Sequence, residues 1–274
     1  MNTAARVAQA DAPLLRRDLR ADGVLTLTLS RPQARNALSI AMLDALSAAF
    51  ADIAADRSVR VVVLAAEGPA FSSGHDLKEI TAARAGADGG RAFFEDTLTR
   101  CAKMMQQVVA LPQPVVAAVE GIASAAGCQL VATCDLAIAG DKAQFCTPGV
   151  NIGLFCSTPM VALSRNLSRK HAMEMLLSGD MFDAADAESF GLVNRVAPAG
   201  GALDAALALA GKIASKSTMT VKIGKRAFYE QAEMRLGEAY DYASRVMVEN
   251  LLARDADEGI SAFVQKRAPS WEDR

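Results

Sequence analysis

The sequence predicts an α/β protein built from repeated strand–strand–helix units as far as about residue 200, followed by an all-helical end. Short apolar runs of strand length recur at residues 24–30, 59–66, 115–119 and 136–139. Segments with a helical apolar period separate them, and from Gly201 onward the strand signal vanishes. The chain has 274 residues, 51% of them hydrophobic, enough to bury a full core.

Each element has its own signal. Residues 24–30, V-L-T-L-T-L-S, alternate leucine with threonine at strand period, and Pro32 ends the run. Ser39 is a natural N-cap for a helix whose apolar stripe is Ile40, Leu43, Leu46, Phe50 and Ile53. Residues 59–66, V-R-V-V-V-L-A-A, read as a strand covered on both faces. A Gly-Pro turn leads through Phe71 to a loop at 72–74 and a helix starting near His75, with Asp76 and Glu79 suiting its dipole. Residues 91–109 are helical by period. The stretch 115–139 then reads as a strand, a turn at Glu120–Gly121, a helix beginning between Ser124 and Gly127, and a second strand. Its small residues allow close approach to the backbone, and a helix start is a seat for negative charge. Downstream, 144–150 is extended with a Pro-Gly turn, 159–166, 170–177 and 183–190 are helices, and Gly179 and Gly191 close two of them. The tail divides into helices at 202–215, 219–231, 235–254 and 258–267. This organisation predicts a disordered lead at 1–20, a core at 21–200 and a helical oligomerisation region at 201–274.

Composition excludes several classes of function. A formal net charge of -2 argues against nucleic-acid and anionic-membrane partners, and no apolar run reaches the length of a membrane span. The N-terminus lacks a hydrophobic signal core, and is read as the lead of a cytoplasmic protein. The five cysteines form no C-x-x-C pair and are expected to be reduced; with only two histidines, His75 and His171, no metal site is expected.

Four motifs occur in order: R-x-x-x-R-N-A-L, A-F-S-S-G-H-D-L-K-E, E-G-I-A-S-A-A-G-C-Q-L-V-A-T-C-D-L-A-I-A and E-G-I-S-A-F-V-Q-K-R. Together they resemble the crotonase (enoyl-CoA hydratase/isomerase) superfamily over nearly the whole chain. The details resemble its divergent "enoyl-CoA hydratase domain-containing" branch, known also from mitochondria. The resemblance implies a crotonase-like superhelix of ββα units with a C-terminal helical region, assembling as a homotrimer or a dimer of trimers. It implies an acyl-CoA ligand, no other cofactor, no metal and, by name, a lyase of fatty acid metabolism. It also implies an oxyanion hole made by two backbone N–H groups, those of His75 and Ala126, which hold the thioester oxygen as it becomes an enolate. Ala126 stands where glycine is usual. The resemblance further places Arg35, Ser73, His75, Asp76, Leu77, Lys78, Ala126, Phe263 and Lys266 along the CoA.

Where the family carries its two catalytic glutamates, this chain matches Gln129 and Gly149. Hydration needs groups that move protons at Cα and Cβ; a carboxamide cannot take a proton at neutral pH, and glycine has no side chain. Efficient hydration is therefore in doubt unless a carboxylate such as Glu120 or Asp141 reaches in. Three readings follow: an acyl-CoA enzyme of altered chemistry, a decarboxylase of a malonyl-type CoA, and a non-catalytic acyl-CoA binder or partner subunit. Asp76 reads as a helix cap, Asp135 as structural, Cys128 and Cys156 as buried filler, and Trp271 as a tail anchor.

Overall fold

The structure is a computed structural model that describes residues 13–274. It opens with β1 (Leu15–Leu19), β2 (Val24–Leu29), α1 (Ile40–Ala55), β3 (Val61–Ala66), β4 (Ala70–Ser72), α2 (Leu77–Ala83) and α3 (Arg91–Ala110). Next come β5 (Val115–Val119), β6 (Ile122–Ser124), α4 (Ala126–Thr133), β7 (Leu136–Gly140) and β8 (Gln144–Cys146). They are followed by α5 (Ser157–Asn166), α6 (Arg169–Ser178), β9 (Phe182–Asp183), α7 (Ala184–Phe190) and β10 (Arg195–Ala197). The chain ends in α8 (Ala202–Ala214), α9 (Thr218–Ala232), α10 (Leu236–Leu251) and α11 (Arg254–Val264).

One sheet has the order β1-β2-β3-β5-β7-β10, the other β4-β6-β8-β9. All neighbours run parallel except the β1–β2 and β8–β9 pairs. β3, β5 and β7 of the larger sheet each hand the chain to the next strand of the smaller one, and a helical segment follows. This is the expected ββα winding.

The doubly apolar strands read in the sequence are buried on both faces. Val62 and Leu64 of β3 enter one core with Leu43, Phe50 and Met104, while Val61, Val63 and Ala65 enter a second core on the other side. That second core is closed by α8, whose Ala202, Ala206, Ala210 and Ala214 form a small-residue stripe at helical spacing. The expected boundary at 200 therefore does not separate α8 from the core: its alanines let the helix lie close against the sheet. The Ser39 cap is present, its hydroxyl accepting from the Met42 amide.

Other expectations are corrected. Leu15–Leu19, placed in a disordered lead, is an antiparallel edge strand on β2; its charged, exposed residues hid it from an apolar-pattern search. Residues 1–12 of that lead lie outside the described residues. Ile122–Ser124 is a strand rather than part of a turn and helix start; three residues are too short to show a period. The helix after Gly74 begins at Leu77, with Asp76 as its cap, not at His75.

The chain between β2 and α1 is pinned from inside by Asn36, which is fully buried. Its Nδ2 donates to the Glu67 and Ala70 carbonyls, both at 2.9 Å, and its Oδ1 accepts from the Arg31 amide at 2.8 Å. Asn36 itself holds a positive φ of 50°, a backbone state asparagine tolerates better than most residues. Replacing Asn36 with alanine leaves these buried groups unpaired and is expected to cost about 2–3 kcal/mol. Denaturant unfolding checks this; a loss below about 0.5 kcal/mol would place the hold elsewhere.

Candidate functional site

The site is built from two backbone segments that converge. The first is the Ser72–Asp76 turn leaving β4. The Ser72 hydroxyl donates to the Asn36 carbonyl at 2.9 Å and accepts from the Gly74 amide at 3.3 Å. The Leu38 amide donates to the Gly74 carbonyl at 2.8 Å, and the Ser73 amide to the Arg35 carbonyl at 3.0 Å. Glu79 reaches across from α2 to accept from the Ile40 amide at 3.0 Å. Asp76 caps α2 by accepting from the Lys78 amide at 3.0 Å and pairs with Arg31 at 3.6 Å.

The second segment is the start of α4. Ala125 has φ 49° and ψ −116°, outside ordinary helix or strand geometry, and its amide donates to the Cys146 carbonyl at 2.9 Å. All eight residues of α4 are buried. Among the described residues neither the His75 nor the Ala126 amide donates a hydrogen bond.

Two glycines let these segments touch. A β-carbon at Gly74 would stand 3.0 Å from the Ala125 β-carbon, 3.0 Å from the Ser124 carbonyl oxygen and 3.2 Å from the Ala126 nitrogen; Gly74 also has φ +83°. A β-carbon at Gly127 would stand 2.3 Å from the Ser72 carbonyl oxygen. Any side chain at either position would push the two amide-bearing turns apart.

Around this junction the polar side chains are few. Both ring nitrogens of His75 are buried without a hydrogen-bond partner. Burial pushes its pKa down, opposed by the Leu38 carbonyl and the Glu79 carboxylate, so the ring is neutral at pH 7. Gln129, one turn along α4 from Ala126, is 5% exposed and its Oε1 is buried without a partner. Gly149 is closed in: a β-carbon there would stand 2.8 Å from the Leu154 carbonyl oxygen and 2.9 Å from the Cys156 sulfur. Burial pushes the Cys128 and Cys156 thiols up, which keeps them protonated. Glu120 does not reach in, because its Oε1 caps α8 by accepting from the Ala202 amide at 3.0 Å. Asp141 is exposed on the turn before β8.

The remaining candidates divide. Ser73, His75, Asp76 and Ala126 lie on the two converging segments, whereas the side chains of Arg35, Leu77 and Lys78 are exposed at their edge. Phe263 is 84% exposed on α11 and Lys266, at φ 55°, follows that helix; no hydrogen bond or ion pair ties their side chains to the two segments. Sequence reading missed Asn36, Ser72 and Glu79 as the residues that hold the first turn. All three lie within the motifs, but only the fold shows what they bond. Among the described residues no three His, Cys, Asp or Glu side chains group as metal ligands, and no helix is long and apolar enough to cross a membrane.

The model of the enoyl-CoA hydratase/isomerase family matches residues 20–274. A human protein named enoyl-CoA hydratase domain-containing protein 3, mitochondrial, is 48% identical over 250 residues, spanning 91% of this chain and 81% of its own. Its crystal structure superposes with a TM-score of 0.89 at 45% identity, covering 94% of this chain and all 100% of that one. A crystal structure of enoyl-CoA hydratase from Mycobacterium smegmatis has a TM-score of 0.90 at 51% identity, covering 95% and 99%. The human, rat and mouse relatives carry "mitochondrial" in their names, which overturns the expectation of a cytoplasmic protein. That expectation rested on a missing hydrophobic signal core, a feature that does not separate cytosol from mitochondrion. The chain belongs to the enoyl-CoA hydratase/isomerase (crotonase) family, within its enoyl-CoA hydratase domain-containing branch.

Proposed function

We propose that the protein binds acyl-CoA thioesters and stabilises a thioester enolate between the His75 and Ala126 amides, without efficient hydration. The observation that carries this reading is the glycine junction: Gly74 lies against Ala125 and Ala126, so the turn bearing His75 meets the start of α4, and among the described residues neither amide donates a hydrogen bond. Fixed donors at helix starts stabilise charge as it develops, and one such donor is worth about 10²–10³ in rate. Ser73, Asp76, Leu77 and Lys78 line the same turn, and with Arg35, Phe263 and Lys266 they are the groups we assign to the CoA. Phe263 and Lys266 would act across a subunit boundary, because the outer helices expose Leu236, Leu252 and Phe263 as apolar surface for further copies in a homotrimer or dimer of trimers.

Hydration is the step this reading removes. The family's proton-moving positions hold Gln129 and Gly149, and Glu120 is committed to a helix cap. Gly149 cannot simply be rebuilt, since Leu154 and Cys156 occupy the space a side chain would need. A second reading, loss of CO₂ from a malonyl-type CoA, is favoured by the same lack of a base: decarboxylation generates the enolate unaided, and neutral His75 lies on the turn that supplies one donor.

Titration with butyryl-CoA and assay of crotonyl-CoA hydration test the first reading. Binding with little or no hydration is expected, and Gly127→Val, which forces the turns apart, should weaken binding at least about tenfold. Efficient hydration, or no affinity for any CoA thioester, would contradict it. Gln129→Glu with Gly149→Glu should fail to restore hydration, with Gly149→Glu costing about 1–3 kcal/mol of stability from overpacking.

His75 adds a pH test. Its folded-state pKa lies below the unfolded value of about 6.5, so the unfolded chain binds more protons in the window between them. Stability should therefore fall as pH drops below about 6.5. Thermal melts of His75→Gln should fall less steeply between about pH 7 and 5; parallel slopes would show that the ring is not buried neutral.

A further inference from the structure

We infer that Lys225 and Tyr229 are positioning residues for the Ala126 amide, acting through Asp135 and the length of α4. The inference rests on the reading of that amide as half of an oxyanion hole.

α4 presents Ala126 at its first turn and ends at Thr133, with Cys134 and Asp135 next. The Asp135 carboxylate is fully engaged. Its Oδ2 accepts from the Val115 amide at 2.6 Å and from the Lys225 ammonium at 2.7 Å; its Oδ1 accepts from the Tyr229 hydroxyl at 2.9 Å. Lys225 also donates to the Val108 carbonyl at 3.0 Å and the Gln113 carbonyl at 3.1 Å, and its side chain is only 6% exposed. One carboxylate thus joins the end of α4 to the start of β5 and to α9, and Lys225 extends the joint to the end of α3.

The other end of α4 explains why this joint matters for the site. Ala125 holds a positive φ of 49° without being glycine, a state that persists only when the surroundings over-determine it. At the front α4 is stopped by the contact of Gly127 with Ser72. At the back it is held by Asp135. A short rigid helix held at both ends cannot slide or rotate to relieve Ala125, so the Ala126 N–H keeps its direction. Attachment of the outer helices does not depend on this joint alone: Arg60, beside the start of β3, donates to the Ala214 and Lys216 carbonyls, both at 2.9 Å, and pairs at 3.4 Å with Asp273, which accepts from the Thr218 amide at 2.7 Å. The Tyr229 hydroxyl can therefore be removed without detaching α9.

The test uses the full chain, butyryl-CoA carrying ¹³C at its thioester carbonyl, and difference infrared spectroscopy of the bound ligand, with thermal melts alongside. The wild type should shift the carbonyl band to lower frequency on binding. Tyr229→Phe should melt cooperatively, bind with an affinity loss of about tenfold or less, and lose most of that shift. Tyr242→Phe, which removes a hydroxyl bonded to exposed Glu230, should keep it. Lys225→Met should behave as Tyr229→Phe does; if it does not fold, Tyr229→Phe alone decides. A folded, ligand-bound Tyr229→Phe with the full shift overturns the positioning role and leaves the oxyanion reading intact. A bound wild type with no shift overturns the oxyanion reading and the positioning role with it.

Discussion

The site depends on a close approach between two stretches of backbone with no side chain between them. Gly74 faces the start of α4, and Gly127 faces the end of β4, so each stretch supplies the space the other needs. The rest of the architecture holds these two stretches in register. β4 and β6 pair in the smaller sheet, which sets their distance, and the Asn36 side chain locks the Arg31–Asn36 chain to the β3–β4 connection from below. Since the two donors we propose are main-chain amides, the chemistry assigned to them would be a property of the fold rather than of any one side chain.

On the proposed function, that arrangement separates binding from proton transfer. Carbonyl polarisation would survive at a site where Gln129 and Gly149 stand, since neither residue is needed to point the amides. What changes is the capacity to move protons, because Glu120, a carboxylate close in sequence, is used structurally and the thiols of Cys128 and Cys156 are kept protonated by burial. A polarised thioester without a base is suited to holding an acyl group, or to reactions that make their own enolate.

Much of this was legible in the sequence, for identifiable reasons. The strands of the larger sheet are continuous apolar runs, the Ser39 cap precedes an amphipathic stripe, and the glycine-rich start of α4 announces close approach. The motifs also hold the two amides to which we assign the oxyanion hole, and the ββα unit places those motifs on the two converging segments. β1 and β6 were not legible: one is a charged edge strand and the other is only three residues long, Ile-Ala-Ser. The roles of Asn36, Glu120 and Lys225 were also hidden. Each is a polar group, buried or half-buried, that bonds partners 31 to 117 positions away, a relation that no local pattern records. The alanine stripe of α8 was visible as a helix, but only the fold shows that it closes the second core.

A structure of the protein with a non-reacting acyl-CoA analogue measures whether the two amides share one oxygen. The thioester oxygen should lie about 2.7–3.1 Å from both the His75 and the Ala126 nitrogens. An oxygen held by other groups, or within reach of only one of the two amides, would contradict the proposed oxyanion hole.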